Sequence, residues 1–482
     1  MMYREVLAYF AQICAIPHAS FHTKELFAYL TPELESLGFV VRSDEARNIY
    51  AKKGDSKPVC CLQGHYDMVC VGAASRHTPI ETYEEQIEGV AYLRARDSSL
   101  GADNGIALAC MLALGKEMSD FEVLITNDEE VGMLGAKNLQ MLIESEVLLN
   151  LDSEDISEIV LGCAGGVDLS ARSKLEPTHR IYDKTFVIRS KGFVGGHSGV
   201  DIHKNIPNAI VEFAHFLIDK PAQILSLRAG EKRNSIPVGV ECVVVASEDF
   251  CQYANAMFAI TPLKSGTESS AKSAPHSESS TPLESNQKSS ARLESSAQLI
   301  GQSHAYAAEI LSPIIALHSG VYEIESSTKS VIDSLNLSCA RVQDGALELD
   351  LFARANDDAK LARMQRRVGT LLGAFGMCVE SGDFYSAWKR NISDDDALLA
   401  MLIELYEANG ITPHITQIHA GLECGILGQR LRELSKPTPT KILSIGPTID
   451  FPHSTKERLN LESLRVFVAI LQRALQNLGA RV

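Results

Sequence analysis

The chain has little of what would place it outside the ordinary globular proteins. It has no uncharged apolar run of about 18 residues, so no membrane-spanning helix is expected. Its opening, Met1-Met2-Tyr3-Arg4-Glu5, lacks the basic-then-apolar layout of a secretion signal. It lacks a basic excess: Lys plus Arg number 45 against 61 Asp plus Glu, a formal net charge of -16. That removes a whole-protein electrostatic footprint for nucleic acid. None of its 11 cysteines stands in a CxxC pair, which argues against thiolate zinc sites. Most of them lie in apolar strings such as Val59-Cys60-Cys61-Leu62 and read as small buried hydrophobes in a reducing compartment. A cytoplasmic protein with no membrane and no nucleic-acid partner is expected.

What is present is ordinary in amount and informative in order. With 482 residues, 45% hydrophobic and 22% charged, the chain is long enough for two to four domains, at roughly 150 residues each, and for a core that needs no disulfides. Residues 3–40 follow a helical spacing broken at Ile16-Pro17-His18. From about 57, short runs rich in Val, Ile and Leu (59–62, 123–125, 147–151) alternate with polar clusters and helical stretches, one of them at 106–115. This predicts an α/β domain with a mostly parallel sheet flanked by helices. The tail repeats that texture, with a helix near 395–408, a strand at 442–445 and a closing helix at 461–478. Between them, 186–388 reads as an inserted α+β domain. Its strand-like runs include Phe186-Val187-Ile188 and Cys242-Val243-Val244-Val245, and its helices lie near 207–219 and 357–376. The expected domains are therefore 1–185 with 389–482, and 186–388. Residues 264–298, dominated by Ser, cannot bury enough apolar surface to offset chain entropy and are expected to form a disordered loop.

Four polar clusters follow predicted strands: Gly64-His65-Tyr66-Asp67, Asn127-Asp128-Glu129-Glu130, Asp152-Ser153-Glu154 and Pro452-His453-Ser454. A fifth, Gly101-Ala102-Asp103-Asn104-Gly105, precedes a helix. Ligands of open α/β sheets bind beyond the carboxyl ends of the strands. Imidazoles and carboxylates together suit zinc, and a carboxylate can bridge two ions. Were their stretch extended, His65 and Asp67 would project the same way and could not both bind one ion, leaving one for each ion or Asp67 to orient the imidazole. Adjacent Glu129 and Glu130 diverge, so one can bind metal while the other meets a water. Taken singly, each cluster also has a plain structural reading as a turn, a cap or a solvated loop. Their arrival at equivalent strand ends is what favours chemistry.

As a set the sequence resembles the M20 family of di-zinc metallopeptidases, and within it the Xaa-His dipeptidase group. The strings that carry the resemblance run in order along nearly the whole chain. They are Gly64-His65-Tyr66-Asp67-Met68-Val69, Leu100-Gly101-Ala102-Asp103-Asn104-Gly105, Asp128-Glu129-Glu130-Val131-Gly132, Leu151-Asp152-Ser153-Glu154, Gly162-Cys163-Ala164-Gly165-Gly166, Gly196-His197-Ser198-Gly199, His419-Ala420-Gly421-Leu422-Glu423-Cys424-Gly425 and Gly446-Pro447-Thr448-Ile449. The resemblance implies His65 and His453 as terminal ligands of two zinc ions, Asp103 as the carboxylate bridging them, and Glu130 and Asp152 as the remaining ligands. It also implies that Asp67 orients His65, that Glu129 is the general base, and that His197 of the inserted lid steadies the tetrahedral oxyanion. In related dimers that histidine comes from a partner subunit, and a homodimer is expected here. Cobalt and manganese stand as substitutes for zinc.

The implied reaction is hydrolysis of unblocked dipeptides, Xaa-His among them. Asn104 stands where the tripeptidase and deacetylase branches usually carry another acid or a Met-Lys pair, and Glu423 where many relatives have a Gly-Gly-Thr-Asp string. Both details resemble the dipeptidase group. Asn205, Asn234, Ser334-Leu335-Asn336, His419 and Glu423 are candidates for holding the substrate, and the asparagines and His419 fit turns and caps equally well. Two departures stand out: Ser454-Thr455 replaces the usual Ser-Pro, and Asn205 sits where Arg or Gly is common. His203 reads as structural, and His18 is given no role. Other M20 activities, N-acyl amino acid deacylation or tripeptide cleavage, are the alternatives. An inactive scaffold is disfavoured, because neither Glu129 nor a zinc ligand is lost.

Overall fold

The computed structural model describes residues 2–74, 77–263, 304–326, 329–435 and 440–480. The Ser-rich stretch 264–298, expected to be disordered, lies outside them. The chain divides into two compact units, one of residues 1–165 with 385–482 and the other of 166–384. It crosses between them earlier than the expected 185/186 because Gly165–Lys174 is a strand of the second unit's sheet. The return falls at 384/385, ahead of the expected 388/389, because Trp388 pairs back to Cys163 in the first unit.

An eight-stranded sheet forms the centre of the first unit. Its order is Val40–Ser43, Ile49–Lys53, Phe121–Thr126, Cys61–His65, Val147–Asn150, Lys441–Ser444, Glu158–Cys163 and His414–Ile418. The four middle strands, from Phe121–Thr126 to Lys441–Ser444, run parallel, while Val40–Ser43 and Ile49–Lys53 pair antiparallel at one edge. These middle strands are apolar on both faces because both faces are covered. Leu62, Val123, Leu149 and Leu443 pack against Met2–Cys14, Ala102–Glu117 and Leu461–Gly479. Cys61, Leu124, Leu148 and Ile442 face the opposite way, toward Glu423–Glu433. Ala102–Glu117 is apolar all round and buried along nearly its whole length, as a helix enclosed by its unit should be.

The second unit is built on a ten-stranded sheet. Its central strands Lys184–Ser190, Val240–Ala246, Ala222–Ala229, Val331–Gln343 and Ala346–Ala355 pair antiparallel. Ala209–Leu217 and Asp358–Gly373 contribute apolar stripes (Ile210, Phe213; Leu361, Met364, Val368, Leu372) to the same core as the strands. Each helix is started by a side chain: Asn208 accepts from the amides of Ile210 and Val211, and Asp357 from those of Ala359 and Lys360.

Candidate metal centre

The predicted clusters converge at the carboxyl ends of the parallel strands of the first unit. His65 is the last residue of Cys61–His65, so Asp67 lies beyond the extended segment. Glu129 and Glu130 follow Phe121–Thr126, and Asp152 follows Val147–Asn150. His453 comes from the turn between the short strands Ile449–Asp450 and Arg458–Asn460. Asp103 stands at the first turn of Ala102–Glu117, where the backbone of Asp103 and Asn104 is not yet helical and their peptide is cis. Regular helical backbone therefore follows Asn104, close to the start expected from 106–115, and the helix runs on to Glu117. It is entered through Gly101 at φ +70, and a Cβ there would lie 2.8 Å from the Met68 sulfur, so both conformation and space call for glycine.

Two imidazoles face one another across Asp103. His65 Nε2 lies 3.2 Å from Asp103 Oδ1 and 3.4 Å from Asp152 Oδ1. His453 Nε2 lies 2.9 Å from Asp103 Oδ2 and 2.8 Å from Glu130 Oε1. Asp103 therefore offers one oxygen to each group. His65 Nδ1 is 3.0 Å from the carbonyl oxygen of Asp67, an acceptor only, so that nitrogen carries the proton. Its Nε2 then meets carboxylate oxygens either as an imidazolium or as a lone pair that needs a cation between them. Ligands of a tetrahedral zinc at ~2.0–2.1 Å stand about 3.3–3.4 Å apart, the spacing found around His65. The donors fit a divalent cation, and His65, Asp103 and Glu130 form a group able to hold one.

Electrostatics follow from this crowding. Burial works against the charged form of His453, but hydrogen bonds to Asp103 and Glu130 push it up to about 12. Burial opposes the Asp103 carboxylate too, yet the bonds from His453 and His65 hold it well below the usual range. Burial and then the charge of Asp103 push Glu130 up to about 7. Glu129 is raised well above its ordinary value by burial, with His65 opposing and Glu130 and Asp152 reinforcing. A carboxyl held up in this way is suited to accept a proton.

Asp67 connects the parts. Its side chain stands behind His65, Oδ1 3.5 Å from Nδ1, and accepts from Ser20 Oγ at 2.7 Å. It also accepts from the amides of Glu129 and Glu130 at 2.8 and 3.3 Å, so it fixes the loop that bears both acids. Asp128 and His453 hold left-handed backbone, φ +51 and +56, which non-glycine residues adopt sparingly.

The other expected site residues are placed as follows. Glu423 opens the helix Glu423–Glu433 and is fully buried; Gln63 and Thr126 donate to its Oε2. His419 is half-buried just past the strand His414–Ile418. His197 and Asn234 belong to the second unit. There the amides of Gly199 and Val200 donate to His197 Nδ1 at 3.2 and 3.1 Å, and the carbonyl of Asn234 accepts from Ser198 at 2.8 Å. In the same unit Asn336 donates to the carbonyl of Ser235, and Asn205 is a left-handed turn residue. His18, given no role, is buried and packs behind the centre: its carbonyl accepts from the amide of Met68 and its Nδ1 lies 2.6 Å from the carbonyl of Ile16.

Sequence reasoning missed Glu457 and gave Asn104 and Glu154 no supporting role. Glu457, buried, accepts from the amides of Leu100, Gly101 and Ala102 at 2.8–3.2 Å and so holds the turn that presents Asp103. Burial pushes its carboxyl up to about 7. Asn104 accepts from the amide of His65 and donates to the carbonyl of Leu151, tying the Asp103 turn to two strand ends. Glu154 is raised by burial and by the charges of Asp103 and Asp152. A carboxylate that works through backbone amides leaves no spacing pattern, which is why Glu457 was invisible.

These clusters, on this sheet, form a group able to hold a metal ion, the kind of centre a metal-dependent hydrolase uses. The chain belongs to peptidase family M20/M25/M40, whose model matches residues 61–477, and is accordingly a hydrolase acting on peptide bonds. Among individual relatives, the cytosol non-specific dipeptidase of Escherichia coli (strain K12) is 31% identical over 98% of this chain and 97% of its own. The crystal structure of aminoacylhistidine dipeptidase from Vibrio alginolyticus superposes with a TM-score of 0.69 at 26% identity, covering 98% of this chain and 96% of that one. A succinyl-diaminopimelate desuccinylase of Caulobacter vibrioides is 35% identical, but over only 21% of this chain and 27% of its own. Among the described residues no helix is long and apolar enough to cross a membrane.

Proposed function

We propose that the protein is a dipeptidase that cleaves unblocked dipeptides, Xaa-His among them, with two divalent cations, zinc by preference. The observation that carries the two-cation reading is Asp103, whose two oxygens face two separate imidazole–carboxylate groups, His65 with Asp152 and His453 with Glu130. Likeness along the whole chain to a dipeptidase, against a partial likeness to a desuccinylase, supports the substrate class over deacylation.

In this reading His65, Asp152, Asp103, His453 and Glu130 are the residues that would hold the cations, with one oxygen of Asp103 turned to each imidazole. When bound, the cations would supply Lewis acidity, able to polarise a carbonyl and to make a water more acidic. Glu129 would act as the general base, taking a proton from the attacking water and returning one to the leaving amine, a task its raised carboxyl suits. Asp67 keeps the His65 proton on Nδ1, so Nε2 presents a lone pair, and steadies the amides of Glu129 and Glu130.

The test is a substrate panel with the zinc-loaded protein. Free dipeptides should be hydrolysed and N-acetylated amino acids should not; cleavage of the acetylated set alone would refute the dipeptidase reading. Two equivalents of zinc per chain are expected after dialysis, and one equivalent would remove the bridging role of Asp103.

A further inference from the structure

Three neighbouring parallel strands each carry a polar residue where their burial calls for an apolar one. Gln63 stands in Cys61-Leu62-Gln63-Gly64-His65, Thr126 ends Phe121–Thr126, and Asn150 ends Val147–Asn150. Each is wholly buried. Each also stands two to four residues before a metal-ligand candidate: Gln63 before His65, Thr126 before Glu130, Asn150 before Asp152. Polar groups without water need partners, and these find one another. Asn150 Nδ2 donates to Gln63 Oε1 at 2.5 Å, and Gln63 Nε2 lies 3.2 Å from Thr126 Oγ1. Glu423, from the helix across that face of the sheet, receives Gln63 Nε2 at 2.7 Å and Thr126 Oγ1 at 2.5 Å, both on Oε2. Its Oε1 is buried and has no hydrogen-bond partner.

We infer that Glu423 is a positioning residue: as the common acceptor of Gln63 and Thr126, it joins the three strand ends into one frame that holds the metal ligands in place. This deepens the metal-centre reading given above and rests on it. Complete burial keeps Glu423 out of reach of substrate. Its action passes through the strands: a shift of Gln63 moves His65 on the same face two residues on, and a shift of Thr126 moves the loop of Glu129 and Glu130. A carboxylate without a cationic partner is costly to bury. Such a group fits a place where a single acceptor must bind donors from two strands at once. Burial pushes this carboxyl up to about 7, in keeping with a group that acts through shape and hydrogen bonding.

The experiment measures zinc affinity by competition with a chromophoric chelator, together with kcat and KM for a dipeptide. Thermal unfolding serves as the check on folding. Glu423→Ala should raise the zinc dissociation constant about 10–100-fold and lower kcat, with KM within about twofold of the parent. Glu423→Gln, which keeps an oxygen for both donors, should restore zinc affinity to within a few-fold. Should Glu423→Ala fail to fold, Thr126→Val carries the test, with an expected several-fold loss of zinc affinity. Unchanged zinc affinity in a folded Glu423→Ala or Thr126→Val variant overturns the proposal. So does a raised KM with zinc affinity intact, which would mark direct substrate contact. Failure of Glu423→Gln to rescue would show that charge alone matters, and also overturns it. If the parent chain itself retains no zinc, the metal reading fails, which the parent measurement reveals independently of any variant.

Discussion

The metal centre of the first unit and the surface of the second handle charge in opposite ways. In the first, the side chains of His65, Asp103, Glu130 and Asp152 are at most 10% exposed, and the ion pairs around them join acids only to imidazoles. In the second, the pairs Lys184–Glu248, Arg172–Glu348 and Arg189–Glu241 lie on the surface, with both partners largely in water. Surface pairs of that kind contribute about 0–1 kcal/mol and suit a scaffold. Crowding buried acids is unfavourable for folding, and a chain retains such a cluster where a cation is to be held. The contrast also appears in the strands. The second unit's Ala346–Ala355 alternates buried and half-buried positions over much of its length, whereas Cys61–His65 and Phe121–Thr126 in the first are buried at every position, their polar residues Gln63, His65, Glu122 and Thr126 included.

The comparison can be broken most sharply at Asp103. Asp103→Ala removes the carboxylate shared by both imidazole groups, and should abolish zinc retention and hydrolysis together; a variant that keeps two equivalents of zinc would contradict the bridging geometry. Glu129→Gln should keep its zinc and lose about 10²–10⁴-fold in kcat, the range for a lost general base. Metal analysis beside steady-state kinetics separates these two outcomes. Next in size is His197→Ala, which asks whether the second unit takes part in the chemistry. A role at the oxyanion predicts a fall of about 10²–10³-fold in kcat with metal content unchanged, and an undiminished kcat would leave that unit a scaffold only. The smallest effect belongs to Arg172→Ala. Chemical denaturation should show a loss below about 1 kcal/mol, with zinc content and kcat as in the parent. A larger loss would mean that the second unit's surface charges are not merely solvated.

Much of the site was legible because chemistry-bearing residues cluster next to strand ends. His65, Glu129, Glu130 and Asp152 could be picked out as candidates from position, since a sheet of parallel strands delivers its carboxyl ends to one side, while the role expected of each came from the family resemblance. Asp67 was read correctly as lying next to His65, but whether it bound metal or oriented the imidazole turned on where the strand stopped. The strand ends at His65, so Asp67 turns back behind the ring. The domain boundary was placed too late, because Gly165–Lys174 looks like any other strand until its neighbours in the second sheet are known. Glu423 was expected to meet substrate; complete burial and two side-chain donors place it under the strands.

Local pattern by itself determined the alternation of strands and helices, the inserted α+β region and the list of imidazoles and acids at strand ends, because periodicity and residue chemistry are properties of short segments. Tertiary structure alone decided which oxygen of Asp103 faces which imidazole, that Glu457 holds the turn bearing Asp103 through backbone amides, and that Gln63, Thr126, Asn150 and Glu423 meet beneath the site. Those contacts join residues as many as 360 positions apart. No local rule reaches that far, since which distant donor fills a buried acceptor depends on how the whole sheet packs.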